Sequence, residues 1–291
     1  MVSESAHTVT QTSRKRAQQR FIGKLNLLAV KRPLLACLMV LCLVLNALAQ
    51  TSPVPKTYTY LIFHKLAPGM TIQDALPVER EWKAINQAAV DEGNLIGWHM
   101  MVKQMTSNPN PTEYDYVTCI VSSEMAIKGA SPAAMTKIYG DSVQTRMASL
   151  QKRDRQTAPV VKVEIWENLD AQFGPAFGPG KTGTVVVDFM RLRQPDADWP
   201  RIMNLMKQTG AGQVGQNLLG GWGFSALVVP NGSEKGYGFA VARPMTGTKV
   251  MASLVDSKAT DVQKQIARTF EVVRQEVFRF EQYTIRPTAT K

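Results

Sequence analysis

Residues 161–166, VKVEIW, decide the fold of this chain because residues 278–283, FRFEQY, repeat their pattern. The matched pairs are Lys162 with Arg279, Glu164 with Glu281, and Trp166 with Tyr283. Apolar residues fill most of the alternating positions, which is the period of a strand with two different faces. A repeat so far apart in the sequence predicts a chain built from two similar halves.

The rest of the chain follows the same order twice. In the first half we predict strands at 57–66, 96–102, 114–121 and 161–166, with helices over about 78–92 and 131–153, the second broken near Gly140. In the second half we predict strands at 182–192, 220–222, 237–241 and 278–283, with helices from Asp198 and over about 261–274. Each half therefore has the order β-α-β-β-α-β.

Further short matches support this division. Phe189-Met190-Arg191-Leu192 resembles Phe63-His64-Lys65-Leu66, and Gly221-Trp222 resembles Gly97-Trp98. Residues 210–215 spell G-x-G-x-x-G, but they follow a predicted helix and precede a strand, so we predict a flexible loop and no nucleotide site. The Gly/Pro-rich segment 173–180 lacks the Walker spacing and is predicted to be a linker.

The order β-α-β-β-α-β, with both helices on one face of an antiparallel sheet, is the ferredoxin-like arrangement. Two such units packed sheet to sheet bury both open faces, and on these features residues 56–287 resemble the dimeric α/β-barrel superfamily in a form with two fused repeats. This superfamily includes antibiotic-biosynthesis-monooxygenase-like, muconolactone-isomerase-like, EthD-like, NIPSNAP-like and stress-responsive proteins and the haem protein chlorite dismutase. The resemblance implies an α+β pseudo-dimeric barrel with a site inside it or between sheet and helices, and it transfers no catalytic residue.

The N-terminal segment resembles an export signal. A basic leader precedes an apolar run from Pro33 that ends in Ala47-Leu48-Ala49, an A-x-A cleavage pattern. We therefore predict a signal peptide at 1–49, repeats at 50–169 and 181–291, a linker at 170–180, and a periplasmic or extracellular protein. A retained transmembrane anchor is the alternative, although the run is shorter than the roughly 20 apolar residues that a span needs.

Charge and cysteine content exclude several classes. The leader holds seven of the 34 cations and one of the 23 acids, so the remaining chain has a net charge of only +5. It has no basic run of the kind that follows phosphates, and we predict no nucleic-acid partner. Cys119 is the one cysteine after the leader, which gives no internal disulfide and no metal-binding cysteine spacing. We predict neither a metal nor another cofactor, and the sequence does not define an oligomeric state.

A polar set of side chains is the candidate site. If Leu61 and Phe63 face the helices, the opposite strand faces point into the barrel. Those faces carry Tyr58, Tyr60, His64, Tyr116, Thr118, Lys162, Glu164, Trp166, Asp188, Arg279, Glu281 and Tyr283, and His99 joins them as a ligand-binding candidate. The ionisable members could instead form lumen ion pairs without any ligand.

His64 and Asp188 are the candidate catalytic residues. Histidine titrates near neutral pH and can act as a general base, and a nearby carboxylate would raise the pKa of its imidazole. Asp188 stands in an apolar run, where a polar residue is informative. Both histidines, His64 and His99, could equally be structural, and a haem would need one of them as its axial ligand.

Three functions remain open at this stage. The first is an exported small-molecule-binding protein, the second a cofactor-independent oxygenase or isomerase, and the third a structural or stress-linked protein with a filled interior. A hollow barrel would separate the third from the first two, and turnover would separate the second from the first.

Overall fold

The computed structural model describes residues 56–175, 177–178, 180–232, 235–247 and 260–285. The predicted signal peptide lies outside these residues. The strands are β1 (Thr57–His64), β2 (Gly97–Thr106), β3 (Tyr116–Ser122), β4 (Val160–Phe173), β5 (Thr184–Leu192), β6 (Gly221–Val229), β7 (Phe239–Met245) and β8 (Phe270–Tyr283). The helices are α1 (Ile72–Asp91), α2 (Pro132–Tyr139), α3 (Val143–Thr157), α4 (Trp199–Gly215) and α5 (Asp261–Thr269).

The eight strands form one closed antiparallel barrel in the order β1-β3-β2-β8-β5-β7-β6-β4. The first-half strands are contiguous in this order and so are the second-half strands. They meet where β2 pairs with β8 and where β4 pairs with β6. Helix α1 packs on β2 and β8, and α4 packs on β4 and β6. The fold is thus α+β, with a sheet that closes on itself and so pairs both of its edges.

Local chemistry sets the helix boundaries. The Asp74 carboxylate accepts a hydrogen bond from the Thr71 backbone N–H at 2.8 Å, and this capping starts α1 six residues earlier than predicted. The predicted cap at Ser131 is confirmed, since its Oγ accepts from the Ala134 N–H at 3.2 Å. The predicted break near Gly140 is also confirmed, because this residue ends α2 with a φ of 61°.

Three further predicted boundaries are wrong. Residues 210–215 form the end of α4, because Gly210 lets this helix lie against β6: a Cβ there would be 2.6 Å from Trp222 Cγ. The last helix ends at Thr269, not near 274, since β8 starts at Phe270 to pair with the whole of β5 as far as Leu192. Strand β4 likewise continues to Phe173, inside the predicted linker.

The strand register shows that the match of residues 161–166 with residues 278–283 is wrong. Phe63 of β1 lies opposite Lys162 of β4, whereas Phe189 of β5 lies opposite Arg274 of β8. The residues placed like VKVEIW are therefore 273–278, VRQEVF, and not 278–283. Arg279 lies five positions beyond Arg274, on the other side of the strand.

The inward and outward faces of most strands are the reverse of those predicted. Leu61, Phe63, Val187 and Phe189 point into the barrel, where Phe63 and Phe189 are at most 1% exposed. The helices cover the outer face only partly, so Tyr58 and Tyr60 stay half-buried on the outside. The barrel interior is the more completely enclosed face, and it therefore takes these four apolar side chains. In the described part of the chain no helix is both long and apolar enough to cross a membrane.

Candidate functional site

A cavity of about 400 Å³ occupies the barrel interior. Its volume is in the range of small-molecule pockets. Most of its wall is apolar, from Leu61, Phe63, Met101, Val117, Val121, Trp166, Val185, Val187, Phe189, Ala240, Ala242, Phe278 and Phe280. Ile96, Phe173, Phe177 and Pro244 also contribute, so the segment predicted as a linker supplies part of the wall. Phe173 is 56% exposed and its ring lies 4.4 Å from that of Phe177, which places an apolar pair where the cavity meets the surface.

His99 on β2 is the one imidazole in this cavity wall among the described residues. Its ring packs edge-on to Phe280 at 5.4 Å between centroids. Neither ring nitrogen has a hydrogen-bond partner among the described residues, and burial lowers the pKa of His99 to about 4. The side chain is therefore a neutral imidazole at pH 7, with a free donor and a free acceptor in contact with the cavity.

Cys119 lies directly opposite His99 on the neighbouring strand β3, and it also lines the cavity. Burial raises the pKa of its thiol, so the sulfur is protonated at neutral pH. The pair thus differs from the thiolate–imidazolium pair of a cysteine nucleophile. His99 and Cys119 together form a weakly polar strip of the cavity wall.

The opposite wall carries a second polar strip. In the closed order β2 and β6 are four strands apart, so Ser225 of β6 lies across the barrel from His99. Asn168 Oδ1 accepts from Ser225 Oγ at 2.9 Å and from Thr59 Oγ1 at 3.2 Å, and Asn168 Nδ2 donates to Thr57 Oγ1 at 3.0 Å. These groups satisfy one another, and they offer hydroxyl and amide contacts to a ligand.

Beyond Phe63, Phe189 and Trp166, the barrel holds buried charges that do not line the cavity. Glu164 is fully buried and accepts hydrogen bonds from Trp166 Nε1 at 3.1 Å, Tyr237 Oη at 2.6 Å and Lys235 Nζ at 2.5 Å. Burial alone would raise the pKa of Glu164, but Lys162, Lys235 and Tyr237 outweigh it and hold the pKa below its usual value.

A similar arrangement surrounds Glu276, which is also fully buried. Tyr114 donates its hydroxyl to this carboxylate, as Tyr237 donates to Glu164. Arg274 lies 4.7 Å from the centre of the Phe189 ring, as Lys162 lies 4.0 Å from that of Phe63. Glu113 bridges both cations, 3.1 Å from Lys162 Nζ and 3.0 Å from Arg274 Nη1. We call Glu113, Tyr114, Lys162, Glu164, Lys235, Tyr237, Arg274 and Glu276 the ionic cluster.

The structure does not bring His64 and Asp188 together in the lumen, and this expectation is wrong. Both lie on the outer face of the sheet, because the faces of β1 and β5 are reversed. His64 bonds Ala158 O at 3.2 Å and Thr118 Oγ1 at 3.0 Å, under the helices of the first half. Asp188 accepts hydrogen bonds from Arg243 and, at 2.7 Å, from Gln275, so its partner is neither Lys162 nor Arg279.

The other predicted site residues divide between inside and outside. Trp166 and His99 line the cavity, and Lys162 with Glu164 lies in the ionic cluster. Outside the lumen lie Tyr58, Tyr60, Tyr116, Thr118, Arg279 and Glu281. Tyr283 pairs with His99 across β2 and β8 but does not line the cavity. Tyr116 donates to Glu79 of α1, Arg279 pairs with Glu281 at 2.9 Å, and Tyr283 lies 5.7 Å below Lys83.

Sequence reasoning missed several residues of the interior, notably Asn168, Ser225, Tyr114, Arg274 and Glu276. The signal for the last two was present, since VVRQEVF at 272–278 resembles VVKVEIW at 160–166 more closely than FRFEQY does. No comparable signal distinguished Asn168 or Ser225, which stand in ordinary strand sequence.

No protein-family model matches this chain, and no curated protein does. Among solved structures it is similar to an anthrone oxidase-like protein, at 10% identity over 82% of this chain and 98% of that one, with a TM-score of 0.44. It is also similar to a heme-binding protein from Thermus thermophilus (14% identity, 79% and 95% covered, TM-score 0.41). A chlorite dismutase variant from Candidatus Nitrospira defluvii gives 8% identity, 78% and 92% covered and a TM-score of 0.45. Proteins of these kinds belong to the dimeric α/β-barrel superfamily. At TM-scores below 0.5 these similarities carry no activity or residue role over to this chain.

Proposed function

We propose that this chain is an exported protein that binds a small, largely apolar molecule inside its barrel. The observation that carries the proposal is the cavity of about 400 Å³ with apolar walls and a neutral, unbonded imidazole at His99. A structural protein with a filled interior, the third hypothesis, does not account for this space.

The chemistry of the wall defines the ligand class. Apolar side chains around the cavity favour a hydrocarbon or aromatic skeleton through burial of apolar surface. His99 on one side and Asn168 with Ser225 on the other can each hydrogen-bond one polar substituent. The ionic cluster lies beyond the aromatic residues. In the described cavity wall, the one charged side chain that an ionised ligand would meet is Asp170, which is paired with Lys207 at 2.7 Å.

Filling the cavity should abolish binding. Ala242 of β7 faces the cavity, and we expect Ala242→Phe to weaken the binding of the apolar fluorophore N-phenylnaphthylamine at least tenfold, because the new ring occupies the ligand volume. Fluorescence titration of the purified protein measures this change. Ala267→Phe, at an exposed position on α5, is the matched control and should bind like the wild type. Equal binding by all three proteins would contradict the proposal.

His99 should select for a polar substituent. A buried hydrogen bond is worth about 0.5–1.5 kcal/mol net, so we expect His99→Leu to weaken naphthol binding by about two- to tenfold. Binding of naphthalene, which has the same skeleton without the hydroxyl, should not weaken. Competition against the fluorophore measures both affinities. A parallel loss for the two compounds would assign His99 a packing role only.

Proton transfer at His99 is a second candidate function. A neutral imidazole with a free acceptor nitrogen beside a bound ligand can remove a proton from a carbon acid or phenol. This would place the base of an isomerase or cofactor-independent oxygenase at His99 rather than at His64 or Asp188. Turnover of a bound compound, lost in His99→Gln while binding persists, would support catalysis over binding alone.

Two further parts of the proposal concern the whole chain. We infer that residues 56–169 and 181–287 are repeats of one unit. The two halves have the same order of strands in the barrel, and Lys162 and Arg274 occupy equivalent positions opposite Phe63 and Phe189. We also infer export, supported by the A-x-A pattern that ends at Ala49. N-terminal sequencing of protein from the periplasm or medium should start near Gln50, and a start near Met1 would contradict cleavage.

A further inference from the structure

A second group of chemically active side chains lies outside the cavity, between the outer face of the sheet and the helices of the first half. It consists of His64 at the end of β1, Glu79 of α1 and Asp154 of α3. One ligand atom from each of these residues lies within 4.8 Å of those of the other two. His64 is 4% exposed and Glu79 is 1% exposed, whereas Asp154 is half-buried.

The hydrogen bonds of His64 prepare one ring nitrogen to act as a ligand. Nδ1 lies 3.2 Å from Ala158 O, a carbonyl that can only accept, so the proton of the neutral ring is on Nδ1. The lone pair is then on Nε2, where it accepts a hydrogen bond from the Thr118 hydroxyl at 3.0 Å, a contact that a metal ion would replace. A metal-ligating histidine usually donates its other ring N–H to a backbone carbonyl or carboxylate, as His64 does to Ala158.

The two carboxylates lack a cation. Glu79 has one hydrogen bond, from Tyr116 Oη at 2.7 Å. Asp154 accepts one from the Trp82 side chain, and its Oδ1 is buried with no hydrogen-bond partner in the described part of the chain. No described lysine or arginine forms a salt bridge with either group, and Arg155 acts on Asp154 only through a longer-range attraction. The buried Glu79 and the half-buried Asp154 need a proton or a cation between them, because an uncompensated charge in the interior is very costly.

We propose that His64, Glu79 and Asp154 form a binding site for a divalent first-row transition-metal ion. One imidazole nitrogen and two carboxylate oxygens are ligands that Zn²⁺ accepts, and they include no sulfur. The half-buried Asp154 provides an entry path and leaves a coordination position for water. The ion would be bound by one residue each from β1, α1 and α3. It would neutralise the carboxylates of Glu79 and Asp154, which lie outside the ligand cavity.

The test is a metal titration of the full chain after treatment with a chelator. We expect one equivalent of Zn²⁺ per chain to bind at this site. The bound ion should raise the melting temperature, because it binds the folded state. Asp154→Asn and Glu79→Gln keep the side-chain shapes and should each weaken this binding at least tenfold. His99→Gln removes a histidine from the cavity wall and should bind Zn²⁺ like the wild type. Circular dichroism checks that each variant is folded.

Co²⁺ provides a second, spectroscopic readout. Bound Co²⁺ should give a visible d–d band without the near-ultraviolet charge-transfer band of a thiolate, since the site contains no cysteine. The proposal is overturned if chelator-treated wild-type protein binds neither ion. It is also overturned if Asp154→Asn binds Zn²⁺ as the wild type does, or if the Co²⁺ d–d band is unchanged in Asp154→Asn. None of these results depends on whether the barrel cavity binds a ligand.

Discussion

Glu164→Gln should lower the free energy of unfolding by about 3 kcal/mol, because it removes one member of a buried charge group and leaves the others unpaired. The carboxylate now accepts from Lys235, Tyr237 and Trp166, and it lies 3.5 Å from Lys162 Nζ. Glutamine keeps the volume but no longer neutralises the two lysines. Urea unfolding followed by circular dichroism at pH 7 measures the difference.

Glu281→Gln is the matched control, since it changes the same residue type at the position that the sequence alone matched to Glu164. Glu281 pairs with Arg279, whose side chain is 53% exposed, and such surface pairs are worth about 1 kcal/mol or less. Glu276→Gln, by contrast, should be destabilising to a degree similar to Glu164→Gln, because Glu276 is equally buried. If Glu281→Gln cost as much as Glu164→Gln, the assignment of the buried charges would be wrong.

This contrast shows what the sequence could predict. A period-2 pattern identifies a strand and gives two faces, but it does not fix the register. The cation-x-Glu-x-aromatic pattern occurs twice in β8, at Arg274-x-Glu276-x-Phe278 and at Arg279-x-Glu281-x-Tyr283. Only the pairing of β5 with β8 selects the first of these, by placing Arg274 opposite Phe189. Element order could therefore be predicted from local sequence, whereas register depends on contacts distant in the chain.

The orientation of the candidate site was unpredictable for a related reason. Leu61 and Phe63 need a buried face, and either the barrel interior or the helix layer could supply it. The interior is enclosed by all eight strands, whereas α1 and α4 cover only part of the outside. That difference in coverage places Phe63 inside and His64 outside, and it emerges only when the barrel is closed. His99, a ligand-site candidate from the sequence, faces the cavity from β2, and its role in binding stays a prediction.

Acid should destabilise the protein through His99. Its pKa is about 4 in the folded protein and about 6.5 when unfolded, because burial in the apolar cavity wall disfavours the charged ring. Between these values the unfolded state binds more protons, so stability is complete above pH 6.5 and falls as the pH decreases towards 4. From pH 7 to pH 5 this single group should cost about 2 kcal/mol.

His99→Leu isolates this contribution, because every other group that titrates in the range is common to both proteins and cancels in the difference. Among the described residues no charged side chain acts on the imidazole. Its cross-strand neighbours are the neutral thiol of Cys119 on β3 and Tyr283 on β8, and its ring contact is Phe280. We therefore expect the free energy of unfolding, from urea titrations at pH 7 and pH 5, to fall by about 2 kcal/mol more in the wild type than in His99→Leu. An equal decrease in the free energy of unfolding for both proteins would contradict this prediction. It would mean that the folded His99 binds its proton near the ordinary pKa, which a ring enclosed by this cavity cannot do without solvent or a counter-charge beside it.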